Sequence, residues 1–222
     1  MLNRAKSFIR DLRRDDSGLA LIEFALSLPI FTGLGMYGTE VAYLAIVNME
    51  ISQAALNLAD NASRLGQTQN NVSSVSIKES DIQTAFAGLK LQTGSFDLLS
   101  NGRVILSSLE RNSQGGQWIH WQRCLGVKNV QSQYGAEGKG STGTAFAGMG
   151  DAGEEIQAQP NTAVMYVEVS YDYKGLFGDM FTKNVMLYQK AAHNIRDDRN
   201  LSGGLVNDVG TTQQTCDKYS AN

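Results

Sequence analysis

Hydrophobic positions are distributed unevenly along the chain. Leu19 to Thr39 (LALIEFALSLPIFTGLGMYGT) is 21 residues with one charge, Glu23. A bilayer core is crossed by ~20 apolar residues in a helix, so this stretch is a candidate membrane span. Pro29, Gly33, Gly35 and Gly38 interrupt it. From Glu40 to Leu65 there is no Gly or Pro. Leu44, Val47, Ile51, Ala54, Leu58, Ala62 and Leu65 recur there at spacings of three and four, an amphipathic stripe. Asn48, Glu50, Gln53, Asn57, Asp60, Asn61 and Arg64 fall on the opposite face, and Gly66 suits a C-cap. The pattern predicts one helix from Leu19 to Leu65, roughly 70 Å long at ~1.5 Å per residue. Its first half is membrane-compatible and its second half amphipathic. Pro29 should remove one backbone hydrogen bond and bend it.

The remainder reads differently. Gln67–Ser76 is a polar linker, and Ile82, Phe86 and Leu89 predict a short helix over Glu79–Lys90, capped by Ser80 or Asp81. Arg103–Leu109 and Gln117–Leu125, joined by Gly115-Gly116, predict a hairpin. In the second strand, alternation puts Ile119, Trp121 and Leu125 on one face and Trp118, His120 and Cys124 on the other. Gln131–Gln159 carries seven glycines and reads as a long, flexible connection. Ala163–Tyr173 is the strongest strand pattern, and Asn184–Ile195 reads as another. Between them Leu176, Phe177, Met180 and Phe181 form an apolar cluster, expected to plug the core rather than stand as an exposed lip near a membrane. Residues 196–199 read as a solvated charge run, followed by an irregular tail ending near Cys216. A long N-terminal helix followed by a small antiparallel sheet is α+β.

Composition narrows the function classes. Lys plus Arg is 19 and Asp plus Glu 22 in 222 residues, a net charge of −3 that argues against a nucleic-acid binder. The two Cys (124, 216) and two His (120, 193) lack the paired C-x2–4-C and H-x3–5-H spacing of a structural zinc site. No nucleophile elbow, zincin, Walker A or Cys-x2-Cys motif occurs. His120 and His193 read as packing or surface residues, and an enzyme would require a deep pocket enclosing one of them with an acid beside it. Asp151, Glu154, Glu155, Asp197 and Asp198 do not have the spacing of an EF-hand. No catalytic residue, cofactor or metal is therefore expected. Gly33, Gly35 and Gly38 match G-x-G-x-x-G with Asp60 further on, but the segment lacks the strand–helix–strand context of a dinucleotide site. In an apolar helix such glycines permit close packing, and Gly38 with Ala42 is a small-x3-small pair.

The apolar stretch is preceded by MLNRAKSFIRDLRRDDSG, with five basic residues, and no Lys or Arg follows until Arg64. The positive-inside rule puts residues 1–18 in the cytoplasm and the bulk of the chain across the membrane. Glu23 is costly inside a span unless it snorkels to the interface or finds a partner. A short basic leader ending in Gly18, then Leu-Ala-Leu-Ile-Glu-Phe at 19–24 and a helix running on from apolar to amphipathic, resembles the class III signal of type IV pilin-like proteins. DDSGLALIEFALSLPIF resembles the TadE-like pseudopilins of Tad (Flp) pilus systems. WQRCLG at 121–126 and AAHNIRDDRNL at 191–201 resemble segments of such proteins more loosely.

The resemblance implies a leader over 1–18, a transmembrane and amphipathic helix over 19–66, and a periplasmic α+β domain over 67–222. It implies cleavage by a prepilin peptidase between Gly18 and Leu19, with Glu23 and Phe24 serving processing or assembly. In pilins generally this acid can pair with a neighbouring subunit's free α-amine, here that of Leu19. The chain would be a minor pseudopilin in the bacterial inner membrane, acting in pilus initiation, or at a tip or as a minor subunit in adhesion in the extracellular pilus. Its partners would be other pseudopilins, the inner-membrane assembly platform and the lipid bilayer, not nucleic acid. In a periplasmic domain, Cys124 and Cys216, the only cysteines, would form an intramolecular disulfide by default. Two buried thiols or a bond to another subunit are the alternatives. The competing readings of the N-terminus are an uncleaved single-span anchor carrying a periplasmic binding or scaffold domain, and a conventional secretory signal cut near Gly33 or Gly35.

Overall fold

The computed structural model describes residues 17–66, 75–94, 96–196 and 199–221. Most of the expected leader, most of the 67–76 linker, and Asp197 and Asp198 lie outside the described residues. Helix α1 spans Ser17–Arg64, continuing through Pro29. It is followed by α2 (Glu79–Gln92), the short α3 (Leu98–Asn101), and strands β1 (Gly102–Arg111), β2 (Gln117–Leu125), β3 (Val164–Asp172) and β4 (Met186–Asn194). The strands form one antiparallel sheet in the order β2-β1-β3-β4. The class is α+β. The described residues divide into two compact units: those up to Leu44 together with Gly175–Lys183, and those within Ala45–Lys174 and Asn184–Asn222.

The second unit is the packed one. Along the later turns of α1, Val47, Ile51, Ala54, Ala55, Leu58, Ala59 and Ala62 are buried, as the stripe requires. Polar residues flanking the stripe are tied down: Gln189 on β4 donates to Asn48 (2.8 Å) and Arg196 to Asp60 (2.5 Å). Gly66 takes the left-handed φ of +81° expected of a C-cap glycine. β1 and β3 are buried at nearly every position, so both faces of the sheet are covered.

Residues 126–163 cover one face. Met149 and Ala158 join Leu109, Ile119, Val164 and Tyr166 in a buried cluster. Gly138 donates to the Ile119 carbonyl and Ile119 to that of Lys139. The glycine-bearing segment is thus packed onto the sheet instead of hanging free. Its glycines serve close approach. At Gly148 (φ +130°) a Cβ would sit 2.3 Å from the Ile156 carbonyl oxygen.

Four further expectations need correction. A bulge between Ser108 and Leu109 opposes Trp121 to Ser108 and Ile119 to Leu109. Ile119 and Trp121 therefore face opposite sides of the sheet, because the extra residue, His120, inverts the alternation. Helix α2 is capped at Lys78, whose amide donates to Asp81 (2.9 Å), while Ser80 is taken by Asp208 (2.5 Å). Arg199 is not solvated: it is 7% exposed and donates to the Ala62 carbonyl (2.7 Å). Finally, the cluster at 176–181 is no core plug. Leu176 and Met180 are exposed, and Phe177 and Phe181 half-buried.

Candidate functional site

The first site residues of interest lie along the start of α1. Gly18 and Leu19 are in its first turn, and Glu23 and Phe24 follow one turn on. From Leu19 to Thr39 the helix is apolar around its circumference apart from Glu23. Leu19, Leu21, Ile22, Phe24, Leu26, Leu28, Ile30, Phe31, Leu34, Tyr37 and Val41 are all exposed. A helix of this kind is stable when something apolar surrounds it. It is long and apolar enough to cross a membrane. Two of its hydroxyls are satisfied within the helix. Ser27 donates to the Phe24 carbonyl (3.1 Å) and Thr39 to that of Gly35 (2.9 Å), which lets both enter hydrocarbon without an orphaned donor. Pro29 has no N–H, so the Ala25 carbonyl lacks its ordinary helical donor. Glycines 18, 33, 35 and 38 have open space where a Cβ would go. Glu23 is exposed on this apolar surface. Leu19 and Glu23 are separated by one turn and share a face.

The strongest polar constellation in the sheet unit is at the bulge. Glu110 accepts from Ser108 (2.7 Å) through one oxygen and contacts His120 Nδ1 (2.8 Å) through the other. Trp118 stacks on the imidazole at 4.2 Å. Glu110, Trp118 and His120 border a cavity of about 390 Å³ that Arg111, Asn112 and Ser202 also line. An acid is thus beside His120, as an enzyme would need. The rest of the geometry is that of an anchored ring. The His120 side chain is 14% exposed, and a Cβ at Gly204 would lie 3.3 Å from Nε2, so that edge backs onto the 204 backbone. Glu110 is its one hydrogen-bond partner among the described residues. The bulge aims His120 at Glu110, and strand alternation alone could not have revealed it. His193 is half-buried in β4, opposite Met165.

Cys124 and Cys216 are joined by a disulfide within the chain, Cα atoms 4.8 Å apart and 92 positions apart in sequence. Arg103, 1% exposed, reinforces the closure. It donates to the carbonyls of Gly126 (2.9 Å), Lys218 (2.6 Å) and Cys216 (2.7 Å), and its guanidinium lies over the Tyr219 ring. Burial lowers its pKa, which Tyr219 and Asp217 partly counter. Backbone bonds from Cys124 to Gln214 and from Gly126 to Ser220 complete the docking of the tail. A second buried cation, Arg123, is gripped by Glu79 (2.5 Å) and Glu137 (2.9 Å). Burial disfavours its charge, but the two carboxylates overcome that and raise its pKa.

No group of three or more His, Cys, Asp or Glu converges on a metal position among the described residues. Asp151 instead pairs with Lys190 (2.5 Å). No protein-family model, curated protein or solved structure matches the chain.

Proposed function

We propose that this chain is a minor pseudopilin of a Tad/Flp-type pilus, cut between Gly18 and Leu19 by a membrane prepilin peptidase. The observation that carries the reading is the uncovered apolar helix beginning directly behind Gly18, with a single carboxylate, Glu23, one turn in. Such a helix needs lipid before assembly and other apolar helices afterwards. Cleavage creates an α-amine on Leu19. In an assembly that amine and the Glu23 carboxylate of an adjacent copy or related subunit neutralise one another, making both charges tolerable in an apolar bundle. The sheet domain, closed by its disulfide, then stands outside the inner membrane as the part that contacts other subunits or an adhesion target. Its role is assembly or initiation, or a tip or minor-subunit function, and not catalysis.

The protein isolated from membranes of its native host should begin at Leu19 by N-terminal sequencing and intact mass. A start at Met1 would overturn cleavage and favour the second reading, an uncleaved single-span anchor for a binding or scaffold domain. Glu23→Ala should reduce surface pili severely while the subunit stays at wild-type level in the membrane. Unchanged pilus output at equal subunit level would remove Glu23 from assembly.

A further inference from the structure

Residues 175–183 group with the apolar end of α1 and not with the sheet. What holds them there is a carboxylate. Glu40 is the residue after Thr39, where the apolar stretch ends, and it is fully buried. The Phe177 amide donates to its Oε2 (3.2 Å) and the Thr182 hydroxyl to its Oε1 (3.0 Å). Gly175 is packed against the same carboxylate: a Cβ there would lie 2.4 Å from Oε1, so no side chain fits. One turn earlier on the helix, Tyr37 meets the Phe181 ring edge-on at 5.8 Å, and Phe177 meets Phe181 at 6.0 Å.

The segment therefore turns hydrogen-bonding groups inward, onto Glu40, and leaves large apolar side chains outside. Leu176 is 53% exposed and Met180 69%. In water this arrangement wastes apolar surface; against lipid it is the favourable one. Two observations select lipid as the occupant. The segment joins α1 through Phe181 on Tyr37, where Leu34, Tyr37 and Val41 are themselves exposed near the end of the span. The segment is also bracketed by exposed Lys174, which pairs with Asp172 (3.3 Å), and exposed Lys183, with one acid, Asp179, between them; Lys183 is placed to meet anionic headgroups while the apolar side chains enter the interface. Tyr37 is the residue type that settles at this level.

We propose that residues 175–183 form a lipid-facing lip, latched to Glu40 and seated in the interfacial layer of the membrane where the α1 span leaves it. The proposal rests on the reading of α1 as a membrane span and adds a second membrane contact to it. The lip would set the depth of the span and would have to leave lipid when the subunit does.

The test uses the full chain in vesicles of phosphatidylethanolamine and phosphatidylglycerol. Because both native cysteines are in the disulfide, single cysteines can be spin-labelled at Met180→Cys, at Leu26→Cys within the span, and at Val209→Cys as a water-exposed reference. Collision with oxygen relative to a water-soluble nickel complex reports depth. The proposal expects the ratio at 180 to be several-fold above that at 209 and below that at 26. A water-like ratio at 180 with a lipid-like ratio at 26 overturns the lip and leaves the span. A water-like ratio at 26 overturns the span and the lip with it. Shielding of 180 from both reagents with dipolar broadening between labels overturns lipid as occupant and assigns the lip to a second copy.

Discussion

Glu79→Ala should cost the folded domain ~3–5 kcal/mol, the usual penalty for stranding one partner of a buried ion pair. Glu79 is 1% exposed and Arg123 6%. The Arg123 Nε donates to Glu79 Oε2 (3.0 Å) and Nη2 to Oε1 (2.5 Å), so the pair is bidentate and fixes orientation as well as distance. Helix α2 is joined to β2 through this contact. Without Glu79 the guanidinium keeps only Glu137, whose side chain is 51% exposed, and the Gln122 carbonyl. A guanidinium cannot shed its proton to escape the desolvation cost. Urea unfolding of the full chain in detergent, followed by fluorescence of Trp118 and Trp121, measures the loss. Glu79→Leu combined with Arg123→Met should recover most of it, because an apolar pair of similar volume strands no charge. A loss below ~1 kcal/mol for Glu79→Ala would mean that water reaches the pair.

The second large effect is expected from the disulfide. Replacing both Cys124 and Cys216 by Ala should lower stability by ~2–5 kcal/mol, consistent with an entropic estimate of ~4–5 for a long closed loop. The bond closes 92 positions of sequence, which include β3, β4 and the segment over the sheet. Much of its contribution arises in the unfolded chain, whose freedom it restricts, so the folded domain should keep its secondary structure when the bond is lost. The Arg103 contacts would still hold the tail carbonyls. Urea melts of the wild-type chain with and without reductant give the same quantity independently. Coincident midpoints would show that the bond contributes nothing to stability.

The lip proposal and the processing proposal touch different ends of the apolar helix. They predict that residue 26 is in lipid whether or not Gly18 has been cut, and that Glu23 matters only once a second helix is beside it. Glu40 and Glu23 illustrate two ways for a carboxylate to exist near an apolar span. Glu40 is saturated by donors from its own chain. Glu23 is exposed, and in the proposed assembly it waits for a charge on another.

Period and composition were sufficient for the two long helices and the four strands, though not for the short α3. The run from Leu19 to Thr39 and the stripe from Leu44 to Leu65 marked α1 to within two residues, and α2 and all four strands were legible from spacing and β-branched or aromatic content. Two cysteines in a chain read as exported made an intramolecular bond the default over two buried thiols or a bond to another subunit, and that bond is present. These features are local or follow from a count, so they are written where they act. The rest depended on partners far away in sequence. Glu40 is buried by residues 137 and 142 positions on, and Arg103 is held by carbonyls 113 and 115 positions on. Glu79 and Arg123 look like two ordinary surface charges until α2 is laid on β2. The bulge at His120 leaves no trace in the alternation it inverts. A glycine-rich stretch looks flexible by composition, yet it packs because small residues let backbone approach backbone. The sequence by itself determined the two long helices, the four strands and the apolar span, since those are properties of short periods. Only the tertiary structure decided which charges are buried, which apolar side chains are left outside, and what holds the tail, since each is a contest between desolvation and partners supplied by distant parts of the chain.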